Sequence, residues 1–205
     1  MMIYELRTYT LKSGAVPGYE KVFGERLQYR EKYSKMAGFW HTEVGPLNQV
    51  LHLWPYDDLK HRTDVRSAGA QETQWPPPSG GNLVNMESEI LIPTPFMRPL
   101  EPANHGGLYE LRMYTYQPGS LPEVLNRFGE SVEAREKISP LVGVWTTEIG
   151  PLNRLYHLWA YKDGNDRDEK RAASRQLPNW PPDTGEFLMN MENKFLIPAP
   201  FSPLR

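Results

Sequence analysis

The alternation of apolar and polar residues at the N-terminus predicts a half-buried β-strand over residues 3–11. Apolar residues then recur at three- and four-residue spacing from Pro17 onwards, which is typical of a helix with proline in its first turn. Two further strands are predicted over residues 39–44 and 49–55, joined by the turn GPLN. A charged helix over residues 58–71 and a strand over residues 82–92 follow. The predicted order is strand, helix, strand, strand, helix, strand.

The whole pattern occurs twice. A shift of 105 positions aligns residues 3–100 with residues 108–205 without a gap, and about 45 of the aligned pairs are identical. Examples are YELRTYT with YELRMYT, and WHTEVGPLNQVLHLWPY with WTTEIGPLNRLYHLWAY. The pattern predicts one unit over residues 1–95, a linker rich in proline and glycine over residues 96–107, and a second unit over residues 108–205.

The order of elements predicts an α+β fold in which each copy is a ferredoxin-like βαββαβ unit, with both helices on one face of a four-stranded antiparallel sheet. The other face of such a sheet is apolar and uncovered. Its exposure to water costs about 25 cal/mol per Å² of apolar surface. We therefore expect the two sheets to pack face to face, so that each copy covers the other.

Composition narrows the classes of function. The chain has no cysteine, which excludes disulfides and thiolate sites and fits a reducing compartment. A net charge of -2 gives no basic surface for nucleic acid or anionic membranes. No window is apolar enough to span a membrane, and no signal sequence is evident. We expect a cytoplasmic protein that does not bind nucleic acid or insert into membranes, and that forms a homo-oligomer.

Three segments carry a resemblance to a known family: YELRTYTL, GFWHTEVGPLNQVLHLWPYDDL, and NMES followed by ILIPTPF. The chain resembles the NIPSNAP family over nearly the whole of both copies. The resemblance implies the dimeric α/β-barrel fold, in which ferredoxin-like sheets pack face to face, and residence inside the cell. It implies no defined reaction, because the family lacks an agreed activity. Members of the wider superfamily include cofactor-free monooxygenases and haem enzymes, but a shared fold does not fix function.

Alternation along the strands separates an apolar set of positions from a more polar set that both copies retain. We take the polar set as facing the barrel interior and the apolar set as facing the helices. This prediction gives the following candidate ligand-binding residues: Glu5, Arg7, Tyr9, His52, Trp54, Tyr56, Asn85, Glu87, Glu110, Arg112, Tyr114, His157, Trp159, Tyr161, Asn190 and Glu192. The second strand leaves two alternatives open, with either Trp40 and Thr42 or His41 and Glu43 facing inward.

Glu5 and Arg7 lie two residues apart on one strand, so their side chains stand on the same face. With Glu87 and His52 they are expected to form a ring of charged groups. One interpretation is a buried ion-pair network that fixes the register of the two sheets. The other is a ligand site in which Arg7 holds a carboxylate or enolate and His52 acts as general base. Trp54 then supplies the apolar wall that a small aromatic ligand needs.

The candidate catalytic residues are His52 and, in the second copy, His157. A metal site formed by both histidines, with Glu87 and Glu192 as oxygen ligands, is a minor alternative. The sequence contains no HxH or HExxH spacing, so we expect neither a metal nor a cofactor.

Two other features have simpler interpretations. The run DDLKHRTDVR, residues 57–66, is interpreted as the solvent side of a helix. Trp75 and Trp180 each precede two prolines and are expected to cap the open end of the sheet or to face a neighbouring chain.

Three classes of function remain. A protein that binds a small aromatic or carboxylate-bearing ligand in the barrel, with cofactor-free monooxygenase-like or proton-transfer chemistry as its enzymatic form, predicts an enclosed pocket lined by the polar set. A protein-interaction module and an oligomeric scaffold both predict a filled, non-catalytic barrel. The sequence favours the first class and leaves open whether the chain is an enzyme.

Overall fold

The structure, a computed structural model, describes all of residues 1–205. The elements of the first half are β1 (Ile3–Leu11), α1 (Val16–Arg30), β2 (Gly38–Val44), β3 (Gln49–Tyr56), α2 (Leu59–Gly69) and β4 (Leu83–Pro93). Those of the second half are β5 (Leu108–Tyr116), α3 (Leu121–Glu136), β6 (Leu141–Ile149), β7 (Arg154–Tyr161), α4 (Gly164–Ser174) and β8 (Leu188–Pro198). The predicted order of elements is confirmed in both halves. None of the helices has the length and apolar character required to cross a membrane.

Local sequence explains why these elements begin and turn where they do. The Asp58 carboxylate accepts a hydrogen bond from the His61 backbone N–H at 2.7 Å and so caps the first turn of α2, as Asp163 does for α4.

In the repeated GPLN turn, Asn48 has a left-handed backbone with φ of +58°. Asparagine tolerates that conformation better than most residues, and Asn153 adopts it in the second copy.

The eight strands form one closed antiparallel barrel in the order β1-β3-β2-β8-β5-β7-β6-β4. The two halves are joined twice, where β2 pairs with β8 and where β4 pairs with β6. These two seams are equivalent under the repeat, so the halves are related by an approximate two-fold rotation about the barrel axis. The predicted α+β fold with sheets facing each other is confirmed, and hydrogen bonding at both seams closes the sheets into one barrel.

Apolar side chains from both halves fill the barrel interior. The largest cluster of buried residues combines leucines such as Leu6 and Leu53 from the first half with Leu111 and Leu158 from the second. Trp40 belongs to this cluster, whereas Phe39 packs against α1, so the second strand adopts the alternative in which Trp40 and Thr42 face inward. The cavity left among these side chains measures about 20 Å³, which leaves no room for a ligand.

The polar positions of the first and third strands of each half face the helices, so their predicted inward orientation was wrong. Leu6 lies in the barrel, while Trp54 packs with Phe23 of α1. The closed interior holds mostly apolar partners, whereas α2 presents arginines that pair with Glu5. The residues placed on this helix-facing side are Glu5, Arg7, Tyr9, His52, Trp54, Tyr56, Glu110, Arg112, Tyr114, His157, Trp159 and Tyr161.

The polar residues of the fourth strand lie on the opposite side of the sheet from this group. The register of β1 with β4 places Glu87 opposite Thr8, and Ser88 opposite Arg7. Glu87 therefore belongs to the barrel-facing side, where it is exposed at the rim, and it does not join Glu5 in the predicted ring of charges. The same rim position is shared by Asn85, Asn190 and Glu192.

Each half also covers the other with the segment that follows its last strand. Phe96 stacks on Phe128 of the second half, with ring centroids 5.8 Å apart, and Phe201 stacks on Phe23 of the first half at 5.9 Å. A β-carbon at Gly24 would lie 2.6 Å from the Phe201 ring, so this helix position needs glycine. The glycine in the repeated FGE motif is thus explained by contact between the halves.

Candidate functional site

A buried glutamate surrounded by arginines lies between the sheet and the second helix of each half. The Glu5 side chain is 0% exposed, and its Oε1 accepts hydrogen bonds from Arg7 Nη1, Arg62 Nη2 and Ser88 Oγ, each at 2.7 Å. Arg66 Nη1 lies 3.6 Å from the same oxygen. The sequence thus brings one carboxylate together with three guanidinium groups, a local excess of positive charge.

The second half repeats this arrangement. Glu110 Oε1 accepts from Arg112 Nη1 at 3.0 Å and from Arg167 Nη2 at 2.9 Å, and Arg171 Nη1 lies at 3.6 Å. Asn193 takes the place of the serine. Because the same contacts form in both halves, the cluster is a property of the repeated unit rather than of one copy.

The arginines keep both glutamates ionised. Burial alone would raise the pKa of Glu5, but hydrogen bonds from Arg62 and Ser88, together with the charges of Arg7 and Arg66, lower it to about 2. Burial likewise opposes ionisation of Glu110, and the Arg167 hydrogen bond and neighbouring guanidinium groups lower its pKa. Each carboxylate is therefore a fixed negative charge that orders the arginines around it.

A tryptophan holds each histidine in one tautomer. Trp54 Nε1 donates to His52 Nδ1 at 2.6 Å, and Trp159 Nε1 donates to His157 Nδ1 at 2.7 Å. Burial and the charge of Arg7 lower the pKa of His52 to about 3, so the ring is neutral near pH 7. Since Nδ1 accepts a hydrogen bond, the proton resides on Nε2.

This tautomer bears on the proposed catalytic role. His52 Nε2 and its counterpart in His157 are buried and have no hydrogen-bond partner. Each ring can therefore donate a hydrogen bond but has no free lone pair with which to remove a proton. The geometry disfavours the general-base role that the sequence suggested. Instead, the Nε2–H group of each histidine is a hydrogen-bond donor without a partner in the protein.

A further arginine lies against each of these tryptophans. The Arg30 guanidinium stands 4.6 Å from the centre of the Trp54 ring and donates to Tyr56 Oη and Ser34 Oγ, both at 2.9 Å. Arg135 stacks on Trp159 in the same way, at 4.4 Å. The cation thus sits on an aromatic face, an arrangement that holds the guanidinium plane in a fixed orientation.

Several of these side chains line one pocket in each half, between the sheet and the helices. The first pocket has a volume of about 400 Å³, and the second a volume of about 390 Å³. The first is lined by Arg7, Tyr9, Tyr19, Phe23, Arg30, His52, Trp54, Tyr56, Arg66, Gly69, Ala70, Trp75, Pro76, Pro77, Ser79, Leu83 and Met86. The second is lined by Arg112, Tyr114, Tyr116, Phe128, Arg135, Trp159, Tyr161, Arg171, Ser174, Arg175, Trp180, Pro181, Pro182, Thr184 and Met191. Neither lining contains an aspartate or glutamate.

The repeated Trp-Pro-Pro segments form one wall of each pocket. The Trp75 ring lies edge-on to Phe23 at 5.1 Å and to Trp54 at 6.4 Å. Trp180 meets Phe128 and Trp159 at 5.6 and 5.7 Å. The peptide bonds that follow both tryptophans are cis. These tryptophans were expected to cap the open end of the sheet or to face a neighbouring chain; in the structure they pack against the helix-facing side of the sheet.

The sequence analysis did not identify several arginines that surround the buried glutamates or line the pockets. Arg62 and Arg66 lie in the run interpreted as the solvent side of a helix, yet both turn towards Glu5. Their counterparts Arg167 and Arg171 do the same. The available signal was identity between copies, because α2 and α4 differ at most other positions.

The two histidines do not converge on a shared site. His52 packs among the rings of Tyr9, Phe23 and Phe39 in the first half, and His157 packs against Tyr114 in the second. No group of three or more potential metal-ligating side chains of the His, Cys, Asp and Glu types is present. The minor alternative, a single metal site shared by both histidines, is therefore wrong, because the two side chains lie in separate halves and do not meet.

Comparison with known proteins identifies the family. The NIPSNAP family model matches residues 4–98 and again residues 109–203. The human protein NipSnap homolog 3A is 33% identical over 100% of this chain and 86% of its own length. The NipSnap homolog of Dictyostelium discoideum is 34% identical over 96% of this chain and 87% of its own.

A likeness to solved structures extends to the fold of the entire chain. The structure of a proposed monooxygenase from Fusobacterium nucleatum matches with a TM-score of 0.67 at 13% identity, and the match covers 97% of this chain and 92% of that one. At this identity the likeness concerns the fold alone. On the strength of two consecutive domain matches and full-length relatives, the chain belongs to the NIPSNAP family and contains its domain twice.

Proposed function

We propose that each half binds one small anionic ligand with an aromatic or otherwise apolar body in the pocket between its sheet and its helices. The observation that carries the proposal is the charge of the linings. Three arginines face the first pocket and four face the second, and no carboxylate faces either. In a chain of net charge -2, such an excess of guanidinium groups favours an anion.

The remaining lining residues define the rest of the ligand. Trp54, Trp75 and Phe23 supply aromatic walls in the first pocket, which suit a planar apolar body. A volume of about 400 Å³ is within the range of pockets that bind small molecules. His52 Nε2 offers a further donor without a partner in the protein. The ligand class proposed from the sequence is retained, but its location changes from the barrel to the helix side.

Binding is better supported than proton-transfer or oxygenase chemistry. Removal of a proton from a substrate requires a basic atom with a free lone pair, and the one histidine in the first lining already accepts a hydrogen bond from Trp54. The interaction and scaffold hypotheses both predicted a filled barrel, but neither of them predicted the pockets outside the barrel.

The expected homo-oligomer stays a prediction. Native mass spectrometry would report both the number of chains and any retained ligand.

Isothermal titration calorimetry with 1-naphthoate tests the proposal. We expect two molecules bound per chain, and we expect 1-naphthamide, which has the same body but no charge, to bind at least tenfold more weakly. The variant Arg66→Met should abolish one site and Arg171→Met the other, since each removes a lining cation.

The control is Arg98→Met, which removes the same charge from an exposed arginine outside both linings. Naphthoate binding unchanged in a chain that carries both pocket substitutions, or equal binding of the acid and the amide, would contradict the proposal.

A further inference from the structure

The two pockets retain the same three arginines but differ at the residue that follows the second helix of each half. This residue is Ala70 in the first pocket and Arg175 in the second, and both are exposed. The second pocket therefore has a fourth guanidinium group. Neither lining contains a carboxylate to offset it.

Other substitutions between the copies add polar groups to the second pocket. Tyr116 occupies the position of Leu11, and its Oη lies 3.3 Å from Thr184 Oγ1. Ser174 occupies the position of Gly69. All three residues line the second pocket. Tyr116 and Ser174 add hydroxyl groups beside the arginines, whereas Thr184 takes the position of Ser79, which lines the first pocket.

The aromatic content of the two linings is the same. Each contains six phenylalanine, tyrosine or tryptophan side chains. Tyr19 lines the first pocket and its counterpart Val124 does not line the second, where Tyr116 is added instead. His52 and His157 are both buried and pack against equivalent rings in the two halves. The difference between the pockets is therefore one of charge.

We propose that the two pockets differ in their selectivity for ligand charge: the second pocket favours a dianionic head group, such as an aryl phosphate, over an aromatic monoanion more strongly than the first pocket does. The inference rests on the proposed function of the pockets and names the ligand class of each. A phosphate dianion presents more acceptor oxygens than a carboxylate, and it is attracted twice as strongly by each cation.

The expected size of the effect follows from Coulomb attraction. One additional guanidinium about 5 Å from the anion, in a setting close to water, changes the affinity about fivefold for each unit of ligand charge. We therefore expect the ratio of the dissociation constants of 1-naphthoate and 1-naphthyl phosphate to be about fivefold larger in the second pocket than in the first. Salt should reduce this difference, because Arg175 is exposed.

Calorimetry at pH 8 with these two probes tests the inference, since the phosphate is then a dianion. The Arg66→Met chain reports the second pocket and the Arg171→Met chain reports the first. Adding Arg175→Ala to the first of these chains should reduce the preference for phosphate to that of the unmodified first pocket. Adding Ala70→Arg to the other chain should raise it by a similar factor.

The outcomes separate the two proposals. If neither probe binds the unmodified protein, the proposed function fails and the inference fails with it. If both probes bind but their ratio is the same in the two pockets, or if exchange of Ala70 and Arg175 leaves the ratios unchanged, the inference is overturned while the proposed function stands.

Discussion

The two faces of each sheet have opposite character although they are built from alternate residues of the same strands. The barrel-facing side carries leucines such as Leu53 and Leu158, which pack until only about 20 Å³ remains. The helix-facing side carries Glu5, Arg7 and His52, beside a pocket of about 400 Å³. A ligand site requires both charge and space, and only the helix-facing side provides them.

The two-fold relation between the halves explains the difference. A residue on the barrel-facing side lies near its own copy, so an identical charged pair would repel in a closed interior. The half-buried charges there include Glu89 and Lys194, which are opposite in sign although they occupy the same position of the repeat. Burial raises the pKa of Glu89 and lowers that of Lys194, and the charge of each residue partly offsets the shift of the other. Identical charges are retained on the helix-facing side, where each half keeps its own set.

The largest expected effect concerns the buried glutamate. Glu5→Ala should lower the free energy of unfolding by about 3–5 kcal/mol, because it leaves Arg7 and Arg62 close together without their counter-charge. Glu87→Ala, at the exposed rim, should change it by less than about 0.5 kcal/mol. Urea denaturation at pH 7 measures both. Equal losses would mean that the two faces are not distinct in the way described.

The next effect concerns the packed interior. Leu53→Ala should cost about 3 kcal/mol of stability, since it opens a cavity in a barrel that has almost none. Naphthoate affinity should stay within twofold, because Leu53 lines neither pocket. Paired denaturation and calorimetry on the same variant check this separation, and Leu158→Ala is the matched change in the second half. A large loss of affinity in either variant would place the ligand inside the barrel.

Acid should destabilise the protein through its buried histidines. The pKa of His52 falls from an ordinary value of about 6.5 to about 3 on folding, so the unfolded chain binds the proton more readily. Its contribution to stability is complete above pH 6.5 and declines as the pH falls towards 3, by about 2 kcal/mol at pH 5. His52→Gln, which keeps an acceptor for Trp54, should reduce the stability difference between pH 8 and pH 5 by that amount. An unchanged difference would show that His52 titrates normally in the folded protein.

The smallest expected effect concerns the divergent charges in the barrel. Lys194→Glu should cost about 1–2 kcal/mol, because it places a second partly buried carboxylate near Glu89. Adding Glu89→Lys should recover about half of this loss by restoring opposite charges. Thermal or urea denaturation of the two single variants and the double variant gives the coupling. Strict additivity would show that these charges do not interact.

Much of the fold could be predicted because the same pattern of residues occurs in both halves of the sequence. The spacing of apolar residues gave the order of elements, and the GPLN turn gave the hairpin that Asn48 completes with its left-handed backbone. The same pattern predicted that each half covers the apolar sheet face of the other. It did not predict the hydrogen bonds between β2 and β8 that close the barrel, because local periodicity contains no information about pairing between strands distant in sequence.

The sequence predicted that several residues of the candidate site lie together but not on which side of the sheet they lie. Alternation grouped Glu5, Arg7 and His52 correctly, but it cannot say which side of the sheet such a group faces. That choice depends on the partners offered by α2, whose Arg62 and Arg66 look like an ordinary solvated helix face when read alone. Both arginines recur in α4, four residues apart and hence on one face of the helix. This shared spacing would have indicated that they face the sheet rather than solvent.

Locating a bound anion in the crystal would show whether ligands bind between the sheets and the helices or inside the barrel. Crystals soaked in 4-bromobenzoate would reveal the ligand through the anomalous scattering of bromine. We expect two bromine positions per chain, one beside Trp75 and one beside Trp180, each between a sheet and its helices. A bromine site within the barrel between Leu53 and Leu158, with both helix-side pockets empty, would contradict this expectation.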